Sequence, residues 1–402
     1  MRELRFNYLD LFKIPRLAFS PQRIWTNGLG LLASYFAYLF FTYLSLLLSG
    51  LSFTGTWYAQ GLLPCIYAYP DIPWYGHLLY YLGITISLYI ILITNTAVAR
   101  LHYMNIRDEL FYSWRQAIKF ALRKWTSIIG AIIAFAVIIG FFVVGAIVLG
   151  FVAKIPWLGE LGTAIFTIPF ILAALFLIFA VVVSIIAILI IPAILATQDE
   201  DALGATFQTF NLVYNQPLRI IFYLATIGIL ELLGILLFGL ALKGAFVVFT
   251  GLFEVGMGSK LLLLKKQALY YLENWLPILK TSGKYLPEYI SNWFYCSQQA
   301  ALPHSAGNAA MSISGWIMAV SLLFTGGIAL AYGEAIGNGG LTLLVIILNK
   351  IQNDENLLER EDEEIESETE DIEENQTAEK NDTPEDENTT AEEESSQGEN
   401  KE

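Results

Sequence analysis

Residues 126–151 read TSIIGAIIAFAVIIGFFVVGAIVLGF, 26 residues without one charge. As a helix rising 1.5 Å per residue the stretch is about 39 Å long, more than the roughly 30 Å hydrocarbon core of a bilayer. A membrane β-strand would instead show about ten residues of alternating polarity, so a continuous apolar run of this length reads as a helix. Working outward, the same criterion selects about Gly28–Gly50, about Tyr75–Ala99, the uncharged run of about Thr163–Ala196, and about Leu218–Val248. A sixth run begins near Met311 and passes Tyr332. The expected fold is an all-α polytopic membrane protein with about six transmembrane helices, interfacial amphipathic helices and a disordered acidic C-terminal tail.

The composition is divided along the chain. Of 402 residues 55% are hydrophobic, yet the formal charge is −14. Residues 352–402 hold 23 of the 37 acids and three of the 23 bases, a net of −20. The remaining 351 residues therefore hold 14 acids and 20 bases, a net of +6. A simple soluble globular enzyme is excluded, because charged residues make up only 15% and gather in the tail. The tail lacks aromatic residues and cannot bury a core. It is expected to be solvated, with a tether for a protein partner as its functional alternative. Direct nucleic-acid binding is not expected of it, since like charges repel.

Lys and Arg in short connections set the expected orientation. The basic leader 1–27 and the connection carrying Arg100, Arg107, Arg115, Lys119, Arg123 and Lys124 should be cytoplasmic. The connections 51–74 and 152–162, with no base and with Lys154 alone, should be outside. Six spans then place both termini in the cytoplasm and the chain in a cell inner membrane. No cleavable signal pattern precedes the first apolar run. Tyr8–Trp25 reads as a short amphipathic anchor broken by Pro15 and Pro21. Residues 251–310 carry five Lys and read as an amphipathic outer region, with Gly244–Leu264 as an alternative extra span.

Two connections look alike. Laid Asp108 on Asp201, Leu110 matches Leu203, Ser113 matches Thr206 and Trp114 matches Phe207. Each has an acid and a hydroxyl residue where a helix should start, and each leads into a long span. Duplication and chance similarity both remain open. The stretch Ile191-Pro-Ala-Ile-Leu-Ala-Thr-Gln-Asp-Glu-Asp-Ala-Leu, followed by Phe207, Asn211-Leu and Asn215-Gln-Pro-Leu-Arg, resembles a bacterial family. That family is the six-helix membrane domain associated with glycerophosphoryl diester phosphodiesterases, together with its stand-alone relatives. Leu341–Lys350 followed by Asn353-Asp-Glu-Asn-Leu-Leu is similar to the family's usual close, and the resemblance spans roughly residues 10–355. It implies a six-helix bundle without catalysis of its own, since the family's phosphodiesterase chemistry resides in a separate barrel absent here.

Candidate functional residues are few. Glu231 lies within the fifth span, where a carboxylate is costly and should face protein or water. No second intramembrane acid lies at helical spacing from it. Glu334 and Asn338 lie in Tyr332-Gly-Glu-Ala-Ile-Gly-Asn-Gly-Gly, within an apolar region too long for one straight span. That region should either break at its glycines, as a substrate-binding helix does, or project its end into the cytoplasm. Cys65 and Cys296 are the only cysteines and would both lie outside, so a disulfide between them is possible. The three histidines are dispersed and no metal or nucleophile motif occurs, so neither cofactor nor metal is expected. Ala136 with Gly140 and Ala146 with Gly150 offer close helix packing, more readily within the chain than between copies. The leading expectation is a non-enzymatic accessory, scaffolding or envelope protein whose main partner is the bilayer. The alternative is a small-solute or ion transporter using a broken sixth helix and an intramembrane carboxylate.

Overall fold

The computed structural model describes residues 4–109, 111–276, 309–354 and 356–359. Among these the chain is helical and contains no strand. Two short helices open it, a 3₁₀ turn at Tyr8–Lys13 and α1 at Ile14–Ala18. Six long helices follow, with shorter ones between them: α2 (Pro21–Leu48), α3 (Phe53–Gln60), α4 (Trp74–Ile106), α5 (Trp114–Arg123), α6 (Trp125–Val152), α7 (Leu158–Ile165), α8 (Thr167–Gln198), α9 (Ala202–Asn215), α10 (Pro217–Met257), α11 (Ser259–Trp275) and α12 (Ala309–Asn353). α2, α4, α6, α8, α10 and α12 are each long and apolar enough to cross a membrane. This is the expected all-α polytopic architecture.

The contacts fix the polarity of these helices. α2 and α4 run antiparallel, with Ser34 hydroxyl-bonded to Ser87 at 2.7 Å and Ser45 Oγ donating to the Gly76 carbonyl at 2.7 Å. α6 and α8 do the same, with Phe142 on Phe176 and Lys124 bonded to Asp199. α10 and α12 form a third antiparallel pair, from Gln216 near Leu348 to Ile235 near Gly333. In lipid, helices gain little from the hydrophobic effect and associate through small residues and polar bonds instead. The pairs obey that rule. Gly30 of α2 receives Thr94 of α4, and Gly83 of α4 receives Phe41 of α2, each so closely that a Cβ would collide.

Exposure defines an apolar band. Phe36 and Phe40 of α2, Phe141 of α6, Ile171 of α8, Leu237 of α10 and Phe324 of α12 all face outward. The end of the bundle where α2 begins and α12 ends is different. There α4 from Thr96 to Tyr103 is buried along its length, as are α8 from Ile190 to Gln198 and α12 from Ala335 to Gly340. The short α5 and α9 sit at this end too. α5 is capped by Ser113, whose side chain accepts from the Gln116 N–H, with Gln116 completing a capping box. α9 is capped by Asp201, which accepts from the Gly204 N–H at 2.6 Å.

Several expectations are corrected. α12 does not break at its glycines; it runs unbroken for 45 residues. The reason is that Gly333, Gly337, Gly339 and Gly340 lie against Ile235, Glu231, His102 and Ile227, respectively. These glycines are contact surfaces, not hinges. Pro15 does not break the leader but sits in the first turn of α1, where a missing N–H is harmless; the leader does break before Pro21, at Phe19 and Ser20, and Pro21 starts α2. The pairing of Ser113 with Thr206 fails, because Ser113 caps α5 while Thr206 lies inside α9 and bonds the Ala202 carbonyl. By their caps, Ser113 corresponds to Asp201. Gly140, Gly145 and Gly150 of α6 have open space beside them, so the small-residue stripe is not used for packing within the described residues. α10 continues to Met257, and α11 then packs along α12 through Tyr271 to Ser312 and Trp275 against Trp316. The remainder of the 251–310 region, Cys296 with its possible disulfide, and the tail beyond Glu359 lie outside the described residues. Cys65 is half-buried and forms no disulfide among them.

Candidate functional site

The site lies where α2, α4, α10 and α12 meet, toward the end at which α2 begins. Asn338 is its centre. Its amide nitrogen donates to the Oδ1 of Asn27 on α2 at 3.3 Å and to the Oδ1 of Asn95 on α4 at 3.1 Å. Asn27 in turn donates to the Ala331 carbonyl of α12 at 3.3 Å. Asn27 and Asn338 are 1% and 3% exposed, so these bonds replace water that neither amide can reach. Three helices are thereby fastened by three asparagines separated by up to 311 residues in sequence.

Glu334 sits one helical turn before Asn338 on the same face of α12. It lines a cavity of about 10 Å³ together with Asn27, Gly30, Thr94 and Asn95. That volume accommodates about one water-sized particle. Glu334 makes no hydrogen bond or ion pair among the described residues. Glu231, on α10, is also without one, and it lies over Gly337: a Cβ on Gly337 would come within 2.8 Å of its Oε2. The two carboxylates are within electrostatic reach of each other. Both are only partly buried. The structure therefore brings all three candidates, Glu231, Glu334 and Asn338, to one seam. The sequence pairs only Glu334 with Asn338; Glu231 joins them through the antiparallel packing of α10 on α12.

Below the asparagines, the His102 ring of α4 packs over Gly339, where any Cβ would stand 2.7–3.0 Å from the ring. Its Nε2 is buried and has no hydrogen-bond partner among the described residues. Arg100, wholly buried, donates to the Ala196 carbonyl at 2.9 Å and lies over the Phe120 ring at 4.3 Å. A cation at the C-terminus of α8 meets the negative end of its dipole and carbonyls that the helix leaves unbonded. Lys124 does the same from α6, through the Asp199 carbonyl and carboxylate. The basic connection thus holds α8 in place. Sequence reading of Arg100 and Lys124 as loop charges misses this role, because nothing local signals a partner some 75 to 96 residues away. At the end of α12, Lys350 bonds Asp354 just beyond it, holding that exposed carboxyl below its usual range.

Comparison of the chain with protein-family models, curated proteins and solved structures finds no match.

Proposed function

We propose that this chain is an accessory or scaffolding protein of a bacterial inner membrane, without catalysis of its own and with both termini in the cytoplasm. One observation carries the reading: the central intramembrane amides bond one another across three helices. Asn338 binds Asn27 and Asn95, and the cavity beside them holds about one water-sized particle. A clasp of this kind fixes helix positions; a solute path would need polar groups facing an open channel. The orientation is supported by the gathering of Arg16, Arg107, Arg115, Lys119 and Arg123 at the end where α2 begins. The resemblance of 191–219 to the phosphodiesterase-associated membrane domain supports the same bundle-without-chemistry reading. The acidic tail is the natural tether for a partner.

Ion transport is the second reading. It is favoured by the two unpaired carboxylates Glu231 and Glu334, but it no longer has a broken helix to use. Two measurements separate these readings. The tagged chain and a form lacking residues 352–402 are used for pull-downs from native membranes, and the full chain is reconstituted for flux. The scaffold reading expects a retained protein that disappears with the tail, and vesicle flux equal to protein-free controls. Flux that Glu231→Gln removes would replace it with the transport reading.

A further inference from the structure

We propose that the cavity between α2, α4 and α12 is a binding site for one small monovalent cation, sodium by chemistry, with Glu334 as its charged ligand. This goes beyond the scaffolding reading and holds whether or not the tail recruits a partner. Every polar group around the cavity offers oxygen. Glu334 carries a carboxylate, Thr94 a hydroxyl, and Asn27 and Asn95 side-chain carbonyls, beside the apolar Leu31 and Ile91. Asn338 takes one lone pair on the Oδ1 of Asn27 and one on that of Asn95, which leaves each oxygen a second with which to accept a cation. Thr94 donates its own proton to the Ile90 carbonyl at 2.8 Å, which leaves its oxygen lone pairs free to accept. No His, Cys or Met lines the cavity, and oxygen ligands without them suit a hard cation.

Charge and size narrow the choice. Glu334 is a carboxylate inside a membrane helix with no Arg, Lys or His bonded to it among the described residues. Leaving such a charge uncompensated is costly, and a single bound positive charge offsets it. One adjoining carboxylate among neutral oxygens matches a monovalent ion better than a divalent one, which usually draws several carboxylates. The volume of about 10 Å³ admits one dehydrated small ion or one water, and not a hydrated ion. Gly30 shapes the space: a Cβ there would run into the Thr94 hydroxyl and displace it.

The test is thermal unfolding of the full chain in detergent, with sodium, potassium or choline chloride at constant ionic strength and pH. The expected result is a saturable rise in unfolding temperature with sodium, absent with choline and weaker with the larger potassium. Sodium-23 line broadening, displaced by lithium, reports binding directly on the unaltered protein. Glu334→Gln should weaken apparent sodium affinity at least tenfold. Gly30→Ala, which deletes no ligand but displaces Thr94, should weaken it as well. Equal responses to all three salts, or an undiminished sodium response in Glu334→Gln, would overturn the proposal. So would stabilisation by acid with no sodium response at any pH, because the carboxyl would then be neutralised by a proton. If Glu334→Gln fails to fold, the line broadening on the unaltered protein decides the matter.

Discussion

Gly340→Ala separates a hinge from a contact surface by the sign of its effect. In a helix interior, alanine is better than glycine by about 1 kcal/mol, so a glycine that merely loosens α12 should be improved by the change. The structure predicts the opposite. A Cβ at 340 would stand 2.7 Å from both Cγ1 and Cγ2 of Ile227 on α10. Ile227 is β-branched, so rotating χ1 withdraws one γ carbon and brings the other in. It is also only 4% exposed and has little room to withdraw. Relief requires α10 and α12 to move apart, and overpacking of this sort costs about 1–3 kcal/mol. Gly326 and Gly327 on the same helix have nothing within 4 Å of a built Cβ. Gly326→Ala therefore gains the propensity term without the clash. The difference between the two variants isolates the steric term, about 1–3 kcal/mol in favour of Gly326→Ala. Unfolding by a denaturing detergent, followed by helical circular dichroism, measures both. Ile227→Ala in the Gly340→Ala background should recover part of the loss. Equal stabilisation by the two alanines would refute the close α10–α12 contact and restore the hinge.

Asn338→Leu removes the donor that joins Asn27 to Asn95; at about 0.6 kcal/mol per intramembrane hydrogen bond, the two bonds lost come to roughly 1 kcal/mol, with more for acceptors left unpaired. The same detergent titration reads it, and Asn95→Leu added to Asn338→Leu should cost less than the sum of the singles. Arg100→Met should cost about 1.5–3 kcal/mol, the worth of a charged hydrogen bond, and should raise proteolysis near residue 199 as the end of α8 loosens. Ser113→Ala should cost about 1 kcal/mol through loss of the α5 cap, with Ser113→Thr restoring most of it. Gly61→Ala should unseat the connection after α3, because Gly61 has a φ of +57° and a Cβ there would strike the Trp275 carbonyl; hydrogen exchange at the Leu62 amide, bonded to that carbonyl at 2.6 Å, should speed up.

What was legible in the sequence follows the physics of one-dimensional patterns. A run such as 126–151 must be helical because lipid offers its backbone no partner, so hydropathy locates spans without knowledge of neighbours. Boundaries were less secure. α10 extends nine residues past Val248, because nothing in that sequence forces a stop before Gly258, whose positive φ ends the helix. Among the site residues, Glu231 and Glu334 stood out because carboxylates are rare in apolar runs. Asn27 and Asn95 did not, since an uncharged amide in an apolar run is unremarkable until its partner is known.

The sequence by itself determined that this is a helical membrane chain with a basic body and an acidic tail, because hydropathy and charge are properties of each segment alone. The tertiary structure alone decided what the glycines of α12 do. Read locally, Tyr332-Gly-Glu-Ala-Ile-Gly-Asn-Gly-Gly is a weak helix; packed against Ile235, Glu231, His102 and Ile227, the missing side chains become the space into which those neighbours fit. The same packing carries Asn27, Asn95 and Glu334 from three separate helices to one cavity. Such convergence depends on which helix faces cross, and that is set by contacts hundreds of residues apart.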